Sequence, residues 1–302
     1  MVREIQTRVF ATLPEIYRKP RSPSEWCRFE RPGAQVHSFL EGPSFDREGR
    51  LYCVDIAYGR IFRISPQGGW DLVTEYDGEP TGLKIHADGR IFIADNKHGV
   101  MQLDPQTGAV TPFVTRIDFE PLQGSNDLVF ARDGTLYLTV PGQSCLARPT
   151  GRLYRIAPDG TGTLLLDNIP YPNGLVLNRA ETSLYLAVTY GNAIWSVPLG
   201  GPTPRPNGVG VFVHLSGGLG PDGLALDTAG NLAVAQARQG MVWLFSELGD
   251  PILRAVSCAG RSVTNIAFGG PDRRDLFITE AATGSVLVAE MPEPGVAMFS
   301  GA

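Results

Sequence analysis

Cysteine is scarce in this sequence and poorly placed for either of its structural uses. Its four copies, Cys27, Cys53, Cys145 and Cys258, lie far apart with no C-x-x-C pair, so neither a zinc knuckle nor a disulfide framework is indicated. Excess positive charge is missing as well. A net charge of −5 leaves no basic footprint and argues against nucleic acid as the partner. No apolar run approaches the ~20 residues that cross a bilayer, so no membrane partner is expected. The stretch from Met1 to Pro20 carries Arg3, Glu4, Arg8, Glu15, Arg18 and Lys19 and lacks the apolar core of a signal peptide. These absences together point to a cytoplasmic protein with reduced thiols. Helical periodicity is also lacking in every long stretch.

Glycine and proline are plentiful instead, at 36 and 24 of 302 residues, which suits many short strands joined by tight turns. The clearest such unit is Gly220-Pro221-Asp222-Gly223-Leu224-Ala225-Leu226-Asp227, followed by Gly230-Asn231-Leu232-Ala233-Val234. It reads as a loop, an alternating strand, a Gly/Asn turn and a second strand. The same phrase recurs from Glu41, Thr81, Asn126, Asn173 and Thr264, giving six copies separated by 40 to 49 residues. That period matches a four-stranded propeller blade. Later strands of each copy follow, such as Arg60 to Ile64, Gly151 to Ile156, Ala193 to Val197 and Met241 to Phe245. The expected architecture is all-β: a six-bladed β-propeller of four-stranded antiparallel blades around a central channel, as one domain over residues 1–302. Residues 1–40 lie outside the repeat. They are read as a leader that contributes a ring-closing strand, with Val9 to Leu13 as the candidate and a loosely attached leader as the alternative.

The first strand of a propeller blade lines the channel, so equivalent positions of the copies form a ring. Here the ring is Glu41, Thr81, Asn126, Asn173, Asp222 and Thr264, all with side-chain oxygen. Two carboxylates facing each other across a narrow channel repel, and one must take a proton unless a cation lies between them. Glu41 and Asp222 would neutralise a divalent ion, with carbonyl oxygens from Asn126 and Asn173. A set without His or Cys favours a hard ion such as Ca²⁺, Mg²⁺ or Mn²⁺ over a structural zinc; Ca²⁺ is placed first, and Mg²⁺, Mn²⁺ and Zn²⁺ are kept as alternatives. Against this stands the ordinary use of Asn-Gly and Asp-Gly as turn dipeptides.

With these residues in place the chain resembles the SMP-30, gluconolactonase and regucalcin lactonases, from about Phe39 to the last blade. The marks are Glu41-Gly42-Pro43, Asn126-Asp127, Pro172-Asn173-Gly174 and Pro221-Asp222-Gly223. The resemblance implies one divalent metal on Glu41, Asn126, Asn173 and Asp222, with Asp222 also acting as the catalytic base that opens a sugar lactone or related cyclic ester. The partner implied is a small-molecule lactone, on a monomer or small homo-oligomer. Two places depart from the family. Gly124 stands where regucalcin-type members have an arginine that contacts the sugar acid, and Thr139-Val140-Pro141-Gly142-Gln143-Ser144-Cys145 replaces a Thr-Asp-x-Gly-Gln-Thr-Gly run. Both bear on specificity rather than on the metal.

Loops between second and third strands open on the same mouth. They offer Asp55, Tyr58, Asn96, His98, Gln143, Tyr190, Asn192, Gln236 and Arg238, of which His98, Gln143, Tyr190 and Arg238 are kept as secondary substrate candidates. Arg60, Arg63, Arg152 and Arg155 read as a solvated blade face, and His37, His86 and His214 as surface or satisfied strand residues. A serine nucleophile is excluded, because the sequences around Ser144 and Ser44 lack the second glycine of a nucleophile elbow. Two rivals use the same fold: a non-catalytic propeller that binds a peptide or protein, and a broad arylesterase or organophosphate hydrolase using the same metal.

Overall fold

Alternating apolar and polar residues, punctuated by glycine and proline, produce strands in an up-and-down order that repeats six times. The structure is a computed structural model, described here for residues 2–19, 24–200 and 206–302. Blade one is built from Leu40–Phe45, Leu51–Asp55, Arg60–Ile64 and Trp70–Glu75, each strand antiparallel to the next. Blades two to five begin with Pro80–Ile85, Leu128–Phe130, Pro172–Leu177 and Gly220–Leu226, and repeat the pattern. Blade six has Val263–Gly269, Asp275–Glu280 and Ser285–Glu290, and takes its outermost strand, Arg8–Thr12, from the other end of the chain. Two additions depart from the four-stranded antiparallel plan: Arg3–Gln6 adds to blade five in parallel, alongside Pro251–Val256, and Arg116–Ile117 pairs with Glu120–Pro121 in a separate two-stranded ribbon.

Burial explains why the blades form a ring. Innermost and second strands are buried on both faces, as in Leu51–Asp55 and Ile91–Asp95. Each blade junction holds its own apolar cluster: Leu83 and Ile93 against Val54 and Ile61 between blades one and two, and so on around the axis. The last junction, where Phe45 and Phe62 of blade one meet Phe277 and Val288 of blade six, closes the circle. Among the described residues no helix is long and apolar enough to cross a membrane, and all four cysteines are free.

Two features were not legible in the repeat. A six-residue helix, Glu25–Glu30, capped by the Ser24 hydroxyl, precedes a strap from Arg31 to Phe39 that reaches the channel mouth. Arg60 is not on a solvated face: it is 1 % exposed and paired with fully buried Asp55. Its Nε and Nη2 donate to Asp55 Oδ2 at 2.9 and 2.5 Å, while Nη1 donates to Tyr17 O at 2.5 Å. The other Asp55 oxygen accepts the Phe39 N–H at 2.6 Å. This pair therefore staples the N-terminal segment to blade one. Period-2 reasoning places Arg60 at a strand end but cannot foresee that a remote segment covers it.

The two ends of the channel differ. At the exit ends of the innermost strands the C-terminal segment crosses the axis, with Phe299 stacked on Phe130 at 5.0 Å and the Ser300 hydroxyl on Phe45 O. A 440 Å³ cavity with mainly aliphatic walls lies there, remote from the residue ring. The entry ends carry the ring and a second cavity of 290 Å³ that includes Asp222.

Candidate functional site

Each innermost strand carries a bulge at its entry end. Register slips by one residue between Glu41 and Ser44, Pro80 and Gly82, Pro172 and Leu175, Pro221 and Leu224, and Val263 and Ile266. In blade three Asn126 and Asp127 together oppose Thr139. A bulge re-aims the side chain beside it, which is how a strand that should alternate can present a polar residue at the hub. The Asn-Gly and Asp-Gly pairs are thus not turns: both lie inside strands. Their glycines serve close approach. A Cβ at Gly174 would stand 2.3 Å from Asp222 O, and one at Gly223 would stand 2.2 Å from Asn265 Oδ1.

The ring residues divide by role. Thr81 and Thr264 donate their hydroxyls to carbonyls of neighbouring blades, Ser125 O at 3.0 Å and Leu40 O at 2.8 Å, so they clasp the ring. Asn173 donates its amide N–H to Thr189 Oγ1 at 3.1 Å, and that hydroxyl donates to Pro221 O at 2.8 Å. Among the described residues no donor is paired with its carbonyl oxygen. Asn126 is half-buried, and no side chain of the described residues pairs with its amide.

Glu41 and Asp222 are buried, at 7 % and 9 % exposure, and neither has a Lys or Arg within ion-pair distance among the described residues. Burial first, and the Asp222 charge second, push the Glu41 carboxyl well above its ordinary value, against one N–H donated by Gly42 at 3.0 Å. Burial and the charge of Asp127 push Asp222 up to about 8, opposed by Asn173 and by Arg31. No three His, Cys, Asp or Glu side chains gather into a metal cluster among the described residues, so a cation here would need amide oxygens as well.

Sequence reasoning missed the layer beneath. The position after each ring residue is glycine in four blades, but Asp127 and Asn265 in blades three and six, and these meet across the axis with Asn265 Nδ2 donating to Asp127 Oδ2 at 3.2 Å. Lys84 Nζ lies 3.9 Å from the other Asp127 oxygen. Aligning the copies one residue further would have singled out this acid and amide.

Residues 39–282 match the SMP-30/gluconolactonase/LRE-like region, which spans well over half of the chain. The chain belongs to this family. Among curated relatives it is similar to lactonase drp35 of Staphylococcus aureus, 31 % identical over 238 residues, covering 75 % of this chain and 71 % of that protein. Lactonase drp35 of Staphylococcus epidermidis is 30 % identical over 239 residues, with the same 75 % and 71 % coverage. Among solved structures, the gluconolactonase of Xanthomonas campestris aligns with TM-score 0.74 at 22 % identity over 94 % of this chain and all of that one. The calcium-binding protein regucalcin of Agrobacterium tumefaciens gives 0.74 at 23 % identity, covering 98 % and 96 %. At these identities the structures speak for the shared fold.

Against this SMP-30/gluconolactonase frame, the Gly124 departure has a steric cause. Gly124 has φ +83°, and a Cβ there would lie 2.5 Å from Gly142 Cα, so no arginine fits. The two departures are therefore one: both segments pack backbone to backbone, with Gly142 N–H donating to Gly124 O at 3.2 Å. Of the secondary candidates only Arg238 lines the cavity with Asp222. His98 Nε2 is held 2.7 Å from Asp77 O, Tyr190 rests on Tyr171, and Gln143 is exposed. Asp55, Asn96 and Gln236 are also engaged, with Arg60, Glu79 and Trp243 respectively. The cavity instead recruits Arg31 and His37 from the strap, which the repeat gave no means of finding.

Proposed function

We propose that the protein hydrolyses a lactone with the help of one divalent cation, Ca²⁺ by preference, held by Glu41, Asn126, Asn173 and Asp222. The observation that carries this reading is the buried pair of carboxyls, Glu41 and Asp222, raised by desolvation and with no Lys or Arg within ion-pair distance among the described residues. Such a pair fits a hard cation, and the amide oxygens available beside it fit the same ion. When bound, that ion supplies a Lewis acid for the ester carbonyl and neutralises both carboxylates.

The chain's own groups do the proton work. An Asp222 carboxylate oxygen takes a proton from the attacking water, whose oxygen forms the new bond to the lactone carbonyl carbon. The ring C–O bond then breaks, and the same proton passes to the departing alkoxide, which leaves a hydroxy acid. Asn173, braced by Thr189 and Pro221, stands beside Asp222 and favours its charged form. A positioned base contributes about 10²- to 10⁴-fold. Asp222→Asn is therefore expected to lower kcat on a lactone by about that factor while the circular dichroism of the fold is kept. Full activity in that variant would sink the assignment of Asp222. The drp35 lactonases support the substrate class and the regucalcin neighbour supports the choice of ion.

A further inference from the structure

The cavity at the mouth is unbalanced in charge. Its walls come from the strap between Arg31 and Phe39 on one side and from blades five and six on the other. Asp222 is the one acid in the lining, whereas Arg31, His37 and Arg238 all contribute to it. Neither guanidinium has an ion-pair partner among the described residues. Arg31 lies 5.0 Å from the centroid of the Phe39 ring, a contact that positions the group without neutralising it. His37 Nδ1 is buried and has no hydrogen-bond partner among the described residues. A buried polar atom left unpaired is uncommon. On a chain of net charge −5, three basic groups converging on one small cavity cannot be put down to a general basic surface.

Volume and position narrow the ligand. At 290 Å³ the cavity is near the lower end of the ~300–1,000 Å³ typical of small-molecule sites, so a compact molecule is indicated. Asp222 lies in its wall, so whatever fills it lies next to the group given the proton-transfer role. The arginine position of regucalcin-type relatives is closed by Gly142 here, while Arg31 and His37 come from residues that precede the 39–282 family match. Guanidinium groups suit carboxylate and phosphate oxygens through paired N–H donors.

We propose that Arg31, His37 and Arg238 form a subsite for an anionic substituent, so that the substrate class is a lactone bearing a carboxylate or phosphate group. This rests on the lactonase reading given above. The test uses the full chain supplied with Ca²⁺ and three lactones of one ring size: unsubstituted, carboxylated and phosphorylated. At least one anionic lactone is expected to exceed the neutral one in kcat/KM by about tenfold or more, and its identity tells the two anions apart. Arg31→Gln and Arg238→Gln are each expected to shrink that ratio about tenfold. A wild-type ratio near one, or variants that slow all three substrates alike, overturns the subsite. A chain inactive on every lactone is read by a second measurement: titration with non-hydrolysable cyclic ethers carrying the same anionic groups. Binding that weakens about tenfold in both variants sustains the subsite even if the lactonase reading fails. Absent binding, or binding equal in wild type and variants, overturns it whatever the activity.

Discussion

Single residues here are defined by what surrounds them rather than by their type. Asp222 and Glu41 are ordinary acids that become proton-binding groups because the hub strips them of water. In metal-free protein the folded Asp222 titrates near 8 against an ordinary 3.8, so the folded state holds more protons than the unfolded one across that interval. Its contribution to stability is complete below about pH 4 and is lost as pH rises toward 8. Thermal melts of chelator-treated protein are expected to fall across this window, with a shallower slope in Asp222→Asn; a slope unchanged by that substitution contradicts the assigned environment. Arg60 gives the opposite lesson. Removing it leaves Asp55 charged, buried and unpaired, so Arg60→Ala is expected to cost about 3–5 kcal/mol in urea unfolding, and a loss under 1 kcal/mol would show the staple to be dispensable. Asp222 was legible from the ring, whereas Arg60 was not. Ring positions follow from the repeat, but burial of Arg60 depends on Tyr17 and His37, outside it.

At the scale of the element, the bulged innermost strand is the working unit. The strand pattern was readable from alternation and turn residues, and the blade starts follow from it closely. The bulges were not, since one extra residue looks like noise in a six-residue strand. Their glycines tie blade to blade at the axis: Gly174 meets the Asp222 backbone, so the two proposed ligand strands constrain each other. Gly174→Ala is expected to destabilise the fold by about 1–3 kcal/mol and to weaken cation binding with it. Gly210→Ala, where a Cβ meets nothing within 4 Å, is the control and is expected to stay within about 0.5 kcal/mol. Equal effects from the two would mean that axial packing does not set the site. The helix Glu25–Glu30 and the strap escaped the sequence reading because a unit that occurs once has no register to be compared with.

For the molecule as a whole, closure is the organising fact. Each blade junction has an apolar cluster shared by its two blades, so the ring holds when its ends meet. Arg8–Thr12 covers the edge of Ser285–Glu290, and Arg3–Gln6 extends blade five beside it. Removing residues 2–12 exposes that edge. The shortened chain is expected to lose cooperative unfolding and to associate, as followed by sedimentation; a monomer with wild-type stability would show that closure lies elsewhere. The same long-range wiring brings Glu41 of blade one and Asp222 of blade five within electrostatic reach of each other. That convergence is the central claim, and calorimetric titration of Ca²⁺ into chelator-treated protein tests it most directly. One ion per chain is predicted for the wild type, with binding lost in Glu41→Gln and in Asp222→Asn. Unaltered stoichiometric binding in the double variant would contradict the account.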